Sequence, residues 1–282
     1  MMVIIAALIP ALCWGLNPLL IRKIDGRPEN EMLGMGLGTG LVGLVFFLSV
    51  RQPGQLSTGA FMAALVSGSA WAVGQLGQYV SYRRVGVSGT MPVSTALQLI
   101  GTAIIGVVLF GEWSQVIQKL LGLGAIGLIV IGSRLSVSTS DRVKHGIKDY
   151  LPLLATTVGY WIYSCIPKAL NGNATQLFFP QMVGITLVAV SWALYRNHRV
   201  LRASASWLNI IPGILYGVAA FTYIIAARHI GITNAYIVGQ LSVVISTLGG
   251  LIVLRENQQF GLIKVLAGLT FIFIGCITTA LI

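Results

Sequence analysis

Apolar stretches of about twenty residues, ten of them, follow one another along the whole chain, and only short polar breaks separate them. That alternation leaves few possible folds. A bilayer core about 30 Å thick is crossed by a helix of about 20 apolar residues. Lipid offers no hydrogen bonds, so the backbone of a crossing segment must satisfy itself, which a helix does. Charged residues make up only 9% of the chain and apolar ones 56%, with a mean hydropathy of +0.86. A soluble domain carries about 25% charged residues. The expected fold is an all-α polytopic membrane protein with spans at 2–21, 32–50, 60–81, 88–110, 116–134, 149–168, 175–195, 207–227, 233–254 and 261–281. These spans consume most of the 282 residues and leave no room for a soluble catalytic domain.

The net charge is +11, with an isoelectric point near 10.0. In a soluble chain this would suggest nucleic acid. Here the basic residues sit in the breaks between spans, where they set membrane orientation, so no nucleic-acid partner is expected. Met2 to Ile21 is too long and has no basic lead or small-residue cleavage site, so it reads as the first span rather than a signal peptide. Cys13, Cys165 and Cys276 lie in apolar stretches without metal or redox spacing and read as small packing residues. His145, His198 and His229 are far apart. No metal or cofactor is expected.

The chain resembles itself. Residues 1–134 and 149–282 read as two five-helix repeats, joined by a Ser/Thr-rich, then charged segment at 135–148. GVSGTMPVSTALQLIGTAIIGVVLFGE from Gly86 aligns with GITNAYIVGQLSVVISTLGGLIVLRE from Gly231 and sets Glu112 opposite Glu256. Trp14 with Pro18, and Tyr163 with Pro167, open the two halves alike. An odd number of spans per half makes the halves insert in opposite directions, an inverted-repeat plan with the substrate site near the midplane. One face of the membrane then carries Arg51, Lys119, Lys168 and Arg228, and the other carries the remaining Lys and Arg of the total of 18. This bias places both termini outside.

Gly38-Thr-Gly40-Leu-Val-Gly43 matches G-x-G-x-x-G, but no strand precedes it and no acid follows at the right distance, which excludes a dinucleotide site. Gly34, Gly36, Gly38 and Gly40 instead form two small-xxx-small pairs for close helix packing. The informative residues are polar or aromatic and lie inside spans. Trp71, Gln75, Gln78 and Tyr82 share one helix face; Ser94, Gln98 and Thr102 share another. Tyr216 and Tyr223 share a third, while Trp14, Asn17, Tyr160, Trp161, Tyr163, Ser164, Gln181 and Gln240 lie on other spans. An amide in lipid needs a partner or a polar cavity. Each one alone could be interhelical glue. As a set, amides with Trp and Tyr suit a hydroxyl-rich ligand, because amides both donate and accept and aromatic faces cover apolar C–H surfaces. The candidate substrate-binding residues are Trp14, Asn17, Trp71, Gln75, Gln78, Ser94, Gln98, Tyr160, Tyr163, Gln181, Tyr223 and Gln240.

All seven acids lie at span ends or in breaks. A cation-coupled drug exporter would bury a carboxylate mid-span. Glu112 and Glu256 read as helix-end groups or partners of nearby bases, and Lys168 as either a proton or substrate group or a snorkelling lysine. Prolines at 10, 18, 92, 167, 180 and 212 can bend helices beside a site. No paired carboxylates, nucleophile with a base, or phosphate loop supports catalysis.

PALCWGLNP from Pro10, WAVGQLGQ from Trp71, MPVSTALQLIGT from Met91, FGEWS from Phe110, GYWIYSCIP from Gly159, FFPQMVG from Phe178 and SVVISTLGG from Ser242 together resemble the bacterial glucose/ribose uptake proteins of the drug/metabolite transporter superfamily. The resemblance implies ten helices in two inverted halves around a central cavity. It also implies proton-coupled import of a monosaccharide through the cytoplasmic membrane of a Gram-positive bacterium. Members of the superfamily tend to have cytoplasmic termini, opposite to the charge count. Two further classes stay open on the residues alone: an exporter of amphiphilic metabolites or drugs on the same scaffold, and a non-transporting membrane protein.

Overall fold

A computed structural model describes residues 2–49, 56–137, 146–170, 173–196, 198–230, 232–256 and 261–282; for 2–7, 232–234 and 236 it describes the backbone alone. Most of the connecting segment expected at 135–148 lies outside these residues, as do Arg51, Arg142 and Lys144 of the charge count. Among the described residues every regular element is helical: α1 (Met2–Ile24), α2 (Pro28–Ser49), α3 (Thr58–Phe110), α4 (Val116–Ser136), α5 (Ile147–Ala169), α6 (Ala174–Arg196), α7 (Ser204–Leu208), α8 (Ile210–Ile230), α9 (Ile232–Gly239), α10 (Leu241–Ile252) and α11 (Leu262–Leu281). A 3-10 turn at His198–Arg202 precedes α7.

Among the described residues, six helical stretches are long and apolar enough to cross a membrane: Pro28–Ser49, Thr58–Phe110, Val116–Ser136, Ala174–Arg196, Ser204–Ile230 and Leu262–Leu281. They do not include α1, α5 or α9–α10, where three further spans were expected and where the chain is nonetheless helical. In α5 the reason is polarity, since Thr156, Thr157, Tyr160, Tyr163, Ser164 and Lys168 all fall in one helix. α9 and α10 meet at a turn at Gln240, and the apolar stretch Ile237–Ile252 runs through it.

α3 holds two expected spans. Gly86 breaks it with φ 76° and ψ 170°, a region open in practice only to glycine. The two arms fold back on each other there. A straight helix would set residues 78 and 94 about 24 Å apart, yet Gln78 Nε2 donates to Ser94 Oγ at 2.7 Å. The second arm starts beneath a carboxylate: the backbone N–H groups of Val87 and Ser88 donate to Glu256 at 2.7 and 2.8 Å. Glu256 therefore does finish a helix, but one from the other half of the chain, where it satisfies N–H groups left unpaired by the break.

The packing is close because it is glycine-lined. A Cβ on Gly34 or Gly38 would overlap the carbonyls of Ser206 and Ile210, and one on Gly36 or Gly40 would overlap Ala189 and Thr186. The two small-xxx-small pairs thus serve opposite faces of α2, one against α7–α8 and one against α6. Gly43 completes the second face against Met182, so the apparent nucleotide motif is a packing surface. Elsewhere α3 packs most extensively on α5, α4 on α11, α2 on α6, and α1 on α8 and α10.

The two ends of the bundle differ. At the Gly86 end, Arg83 pairs with Glu31 at 3.1 Å and approaches Asp25, which Arg22 also approaches. At the other end, Lys168 pairs with Glu112, Gln118 donates to the carbonyl of Ile282, and Arg228 donates to Asn173 and Thr175.

Candidate substrate site

The polar face of the first arm of α3 meets that of the second arm because the helix turns at Gly86. The result is a chain of hydrogen bonds. The Tyr160 hydroxyl donates to Gln75 Oε1 at 2.9 Å, Gln75 Nε2 donates to Gln78 Oε1 at 3.0 Å, and Gln78 Nε2 donates to Ser94 Oγ at 2.7 Å. Gln98 Nε2 donates to the same Ser94 oxygen at 3.0 Å, and the Tyr82 hydroxyl donates to Gln78 Oε1 at 2.9 Å. Gln75, Gln78 and Ser94 are buried. The amide carbonyls of Gln75 and Gln78 are thereby satisfied, and each NH₂ keeps a second hydrogen.

Aromatic rings adjoin this chain. Trp71 lies 4.3 Å from Tyr216, 6.2 Å from Tyr160 and 6.5 Å from Tyr163, centroid to centroid. Trp14 lies 6.4 Å from Tyr216 and 5.7 Å from Tyr223. The rings come from α1, α3, α5 and α8, so four helices converge on one place. All pairs are tilted or edge-on, the favoured geometry for ring quadrupoles. The indole N–H of Trp14 is buried and has no hydrogen-bond partner among the described residues. Buried donors are nearly always paired; the Tyr79 and Ser81 hydroxyls and the Trp192 indole N–H share this lack of a partner among the described residues.

Of the residues read from sequence, Trp14, Trp71, Gln75, Gln78, Ser94, Gln98, Tyr160, Tyr163 and Tyr223 join this assembly. Asn17 and Gln181 do not. Asn17 Nδ2 donates to the Pro212 carbonyl at 2.6 Å and ties α1 to α8. Gln181 Nε2 donates to Ser67 Oγ at 2.9 Å, and Ser67 donates to the Tyr163 carbonyl at 3.1 Å, tying α6, α3 and α5. Gln240 stands at the break between α9 and α10, just after Gly239, where a Cβ would sit 3.4 Å from the Trp14 indole. Tyr82 and Tyr216 join the site although only their shared faces, not a role, were read from sequence. Ser67 gives no sequence signal; it is one small residue among several.

Beyond Gln98, toward the Glu112 end, a cavity of about 270 Å³ opens between α3 and α5. Thr102, Gly106, Phe110, Glu112, Ser164 and Lys168 line it, with Trp113 and Cys165.

The chain matches the family model described as "Sugar transport protein" over residues 4–282. It is 61% identical to a Lactiplantibacillus plantarum protein named "Putative sugar uptake protein", over all of both chains. It is 33% identical to a Latilactobacillus sakei protein named "Putative ribose uptake protein RbsU", over 99% of this chain and 98% of that one. A solved crystal structure shares its fold with a TM-score of 0.63 at 15% identity, covering 98% of this chain and 96% of the other. Apolar helices of membrane-crossing length, a buried amide and aromatic assembly and a match from residue 4 to residue 282 together make this chain a multi-pass membrane protein that belongs to the sugar transport protein family.

Proposed function

We propose that the protein imports a monosaccharide across the cytoplasmic membrane by alternating access with proton symport, with ribose the first substrate to test and glucose the second. The observation that carries this reading is the central assembly: amides and hydroxyls that can donate and accept, aromatic faces beside them, and a spare indole N–H at Trp14. That chemistry suits a neutral polyol. Glu31 and Glu256 bond at the Gly86 end and Glu112 at the other end, so the charge that a cationic substrate would need is not among the central bonds. A sugar hydroxyl can replace a Gln–Gln hydrogen bond at little net cost, because one good bond is exchanged for another. The relative named for ribose uptake favours the pentose.

Ten membrane crossings in two inverted halves, 1–134 and 149–282, fit the packing. Exchanging the halves turns the α3–α5 contact into the α1–α8 and α1–α10 contacts, and leaves α2–α6 and α4–α11 as self-paired contacts. The basic residues concentrate at the Gly86 end, which the positive-inside rule puts in the cytoplasm. The cavity at the Glu112 end then faces outward, as an importer awaiting substrate requires. The coupling proton comes from the family reading.

Gln75→Ala, Gln78→Ala and Gln98→Ala should each lower sugar uptake about three- to tenfold, the worth of one hydrogen bond to substrate, at unchanged membrane expression. Uptake in energised vesicles, normalised to protein, checks this. Wild-type uptake in all three variants would make these residues packing groups and remove the proposed site.

A further inference from the structure

We propose that the cavity at the Glu112 end is a second carbohydrate site, an outer vestibule where a neutral monosaccharide docks before reaching the central rings. This rests on the sugar reading above and adds a site to it. The cavity continues the central polar face by further helical turns: Ser94, Gln98, Thr102 and Gly106 recur every four residues along α3 and lie on one side of it. On α5, Ser164 stands one turn beyond Tyr160, and Lys168 one turn beyond Ser164. A solute in the cavity is thus already on the seam that leads to Gln98, Ser94 and Gln78.

The lining has the chemistry of a polyol site. Thr102 Oγ1 donates back to the Gln98 carbonyl at 2.7 Å, and Ser164 Oγ donates back to the Tyr160 carbonyl at 3.0 Å. Their hydrogens are used within the helices, so their oxygens are left as acceptors. The side chains of Lys168 and Glu112 are paired but 46% and 42% exposed, so both still reach a solute. A carboxylate accepts two neighbouring hydroxyls at once, and charge-assisted bonds of this kind are the strong ones. Gly106 makes room for it, since a Cβ there would overlap the Glu112 carboxylate. Lys168 is steadied from the other side by the Phe110 ring, 4.8 Å from Nζ. Trp113 adds a second aromatic surface and is held in the left-handed region, φ 55°, with its ring packed on Gly122. At about 270 Å³ the cavity lies just below the size range of ligand pockets, about 300–1,000 Å³. Its volume suits a solute of monosaccharide size.

Cys165 lines the same cavity and supplies the probe. In purified, detergent-solubilised protein carrying Cys13→Ser and Cys276→Ala, the rate of maleimide addition to Cys165 is measured against rising ribose or glucose, with betaine as a non-hydroxylated control. The expected result is saturable protection by the sugar, at least fivefold, and none by betaine. Glu112→Gln should raise the half-protecting concentration at least tenfold. Thr102→Val with Ser164→Ala should raise it at least threefold and stands in if Glu112→Gln does not purify as a monodisperse species. Gln78→Ala should lower counterflow yet leave protection in place. No protection at sugar concentrations that saturate counterflow would overturn the vestibule and leave the importer reading intact. Protection that depends on Gln78 but not on Glu112, Thr102 and Ser164 would also overturn it, as would a Cys165 that does not react at all. Protection that depends on Glu112 in a protein without counterflow would keep the vestibule and sink the importer reading.

Discussion

Gly86→Ala should cost about 3–5 kcal/mol of stability. Two effects add. At φ 76° and ψ 170° an alanine sits in a region that only glycine occupies comfortably, worth about 1–3 kcal/mol. The new Cβ would also stand 2.7 Å from a Glu256 carboxylate oxygen. Glu256 would have to leave the N–H groups of Val87 and Ser88, and bonds to a charged group are worth about 1.5–3 kcal/mol. Glu256→Gln should be milder, because the amide oxygen still accepts one of the two N–H groups. Thermal unfolding in detergent, read as loss of the monodisperse peak, ranks the two. A Gly86→Ala protein within 1 kcal/mol of wild type would mean that the α3 hairpin does not turn at this residue.

Arg83→Ala should cost about 3 kcal/mol, the lower end of the range for removing one partner of a buried ion pair. The Glu31 side chain has no exposure to solvent, and Arg83 meets it at 3.1 Å with 32% of its own side chain exposed. Without the guanidinium, a carboxylate is left buried with Asp25 nearby and only the more distant Arg22 to offset it. Glu31→Gln in the Arg83→Ala background should recover part of the loss, because a neutral amide is cheaper to bury than an unpaired charge. Equal stability of Arg83→Ala and wild type in the same unfolding assay would show that the pair contributes nothing.

What the sequence made legible follows from periodicity. Alternating apolar stretches specify helices, and the four-residue spacing of Gly34 with Gly38 and of Gly36 with Gly40 specifies two close-packing faces, where the structure puts α7–α8 and α6. The face of Trp71, Gln75 and Gln78 was legible for the same reason. That this face meets Ser94 and Gln98 was not, since it depends on the angle at one glycine. Nor does the spacing of Asn17 and Gln181 differ from that of the amides at the centre. Only three-dimensional packing shows that their N–H groups are used on the Pro212 carbonyl and Ser67. Glu256 was legible as a helix-end group, but the helix it caps begins 169 residues earlier in the chain. Sequence alone does not separate a snorkelling Lys168 from a functional one, and its pairing with Glu112 in the mouth of a cavity is a tertiary fact.

The most direct test is counterflow in proteoliposomes made with the purified protein. Vesicles loaded with unlabelled ribose or glucose are diluted into a trace of the labelled sugar, and its transient accumulation is followed. Counterflow needs no ion gradient, so it should saturate with sugar concentration and survive a protonophore, while net uptake in energised vesicles should fall with it. Gln75→Ala and Gln78→Ala should reduce the accumulation. Transport of ethidium-like cations by the same vesicles, with no counterflow of any pentose or hexose, would contradict sugar import and point to an exporter on this scaffold.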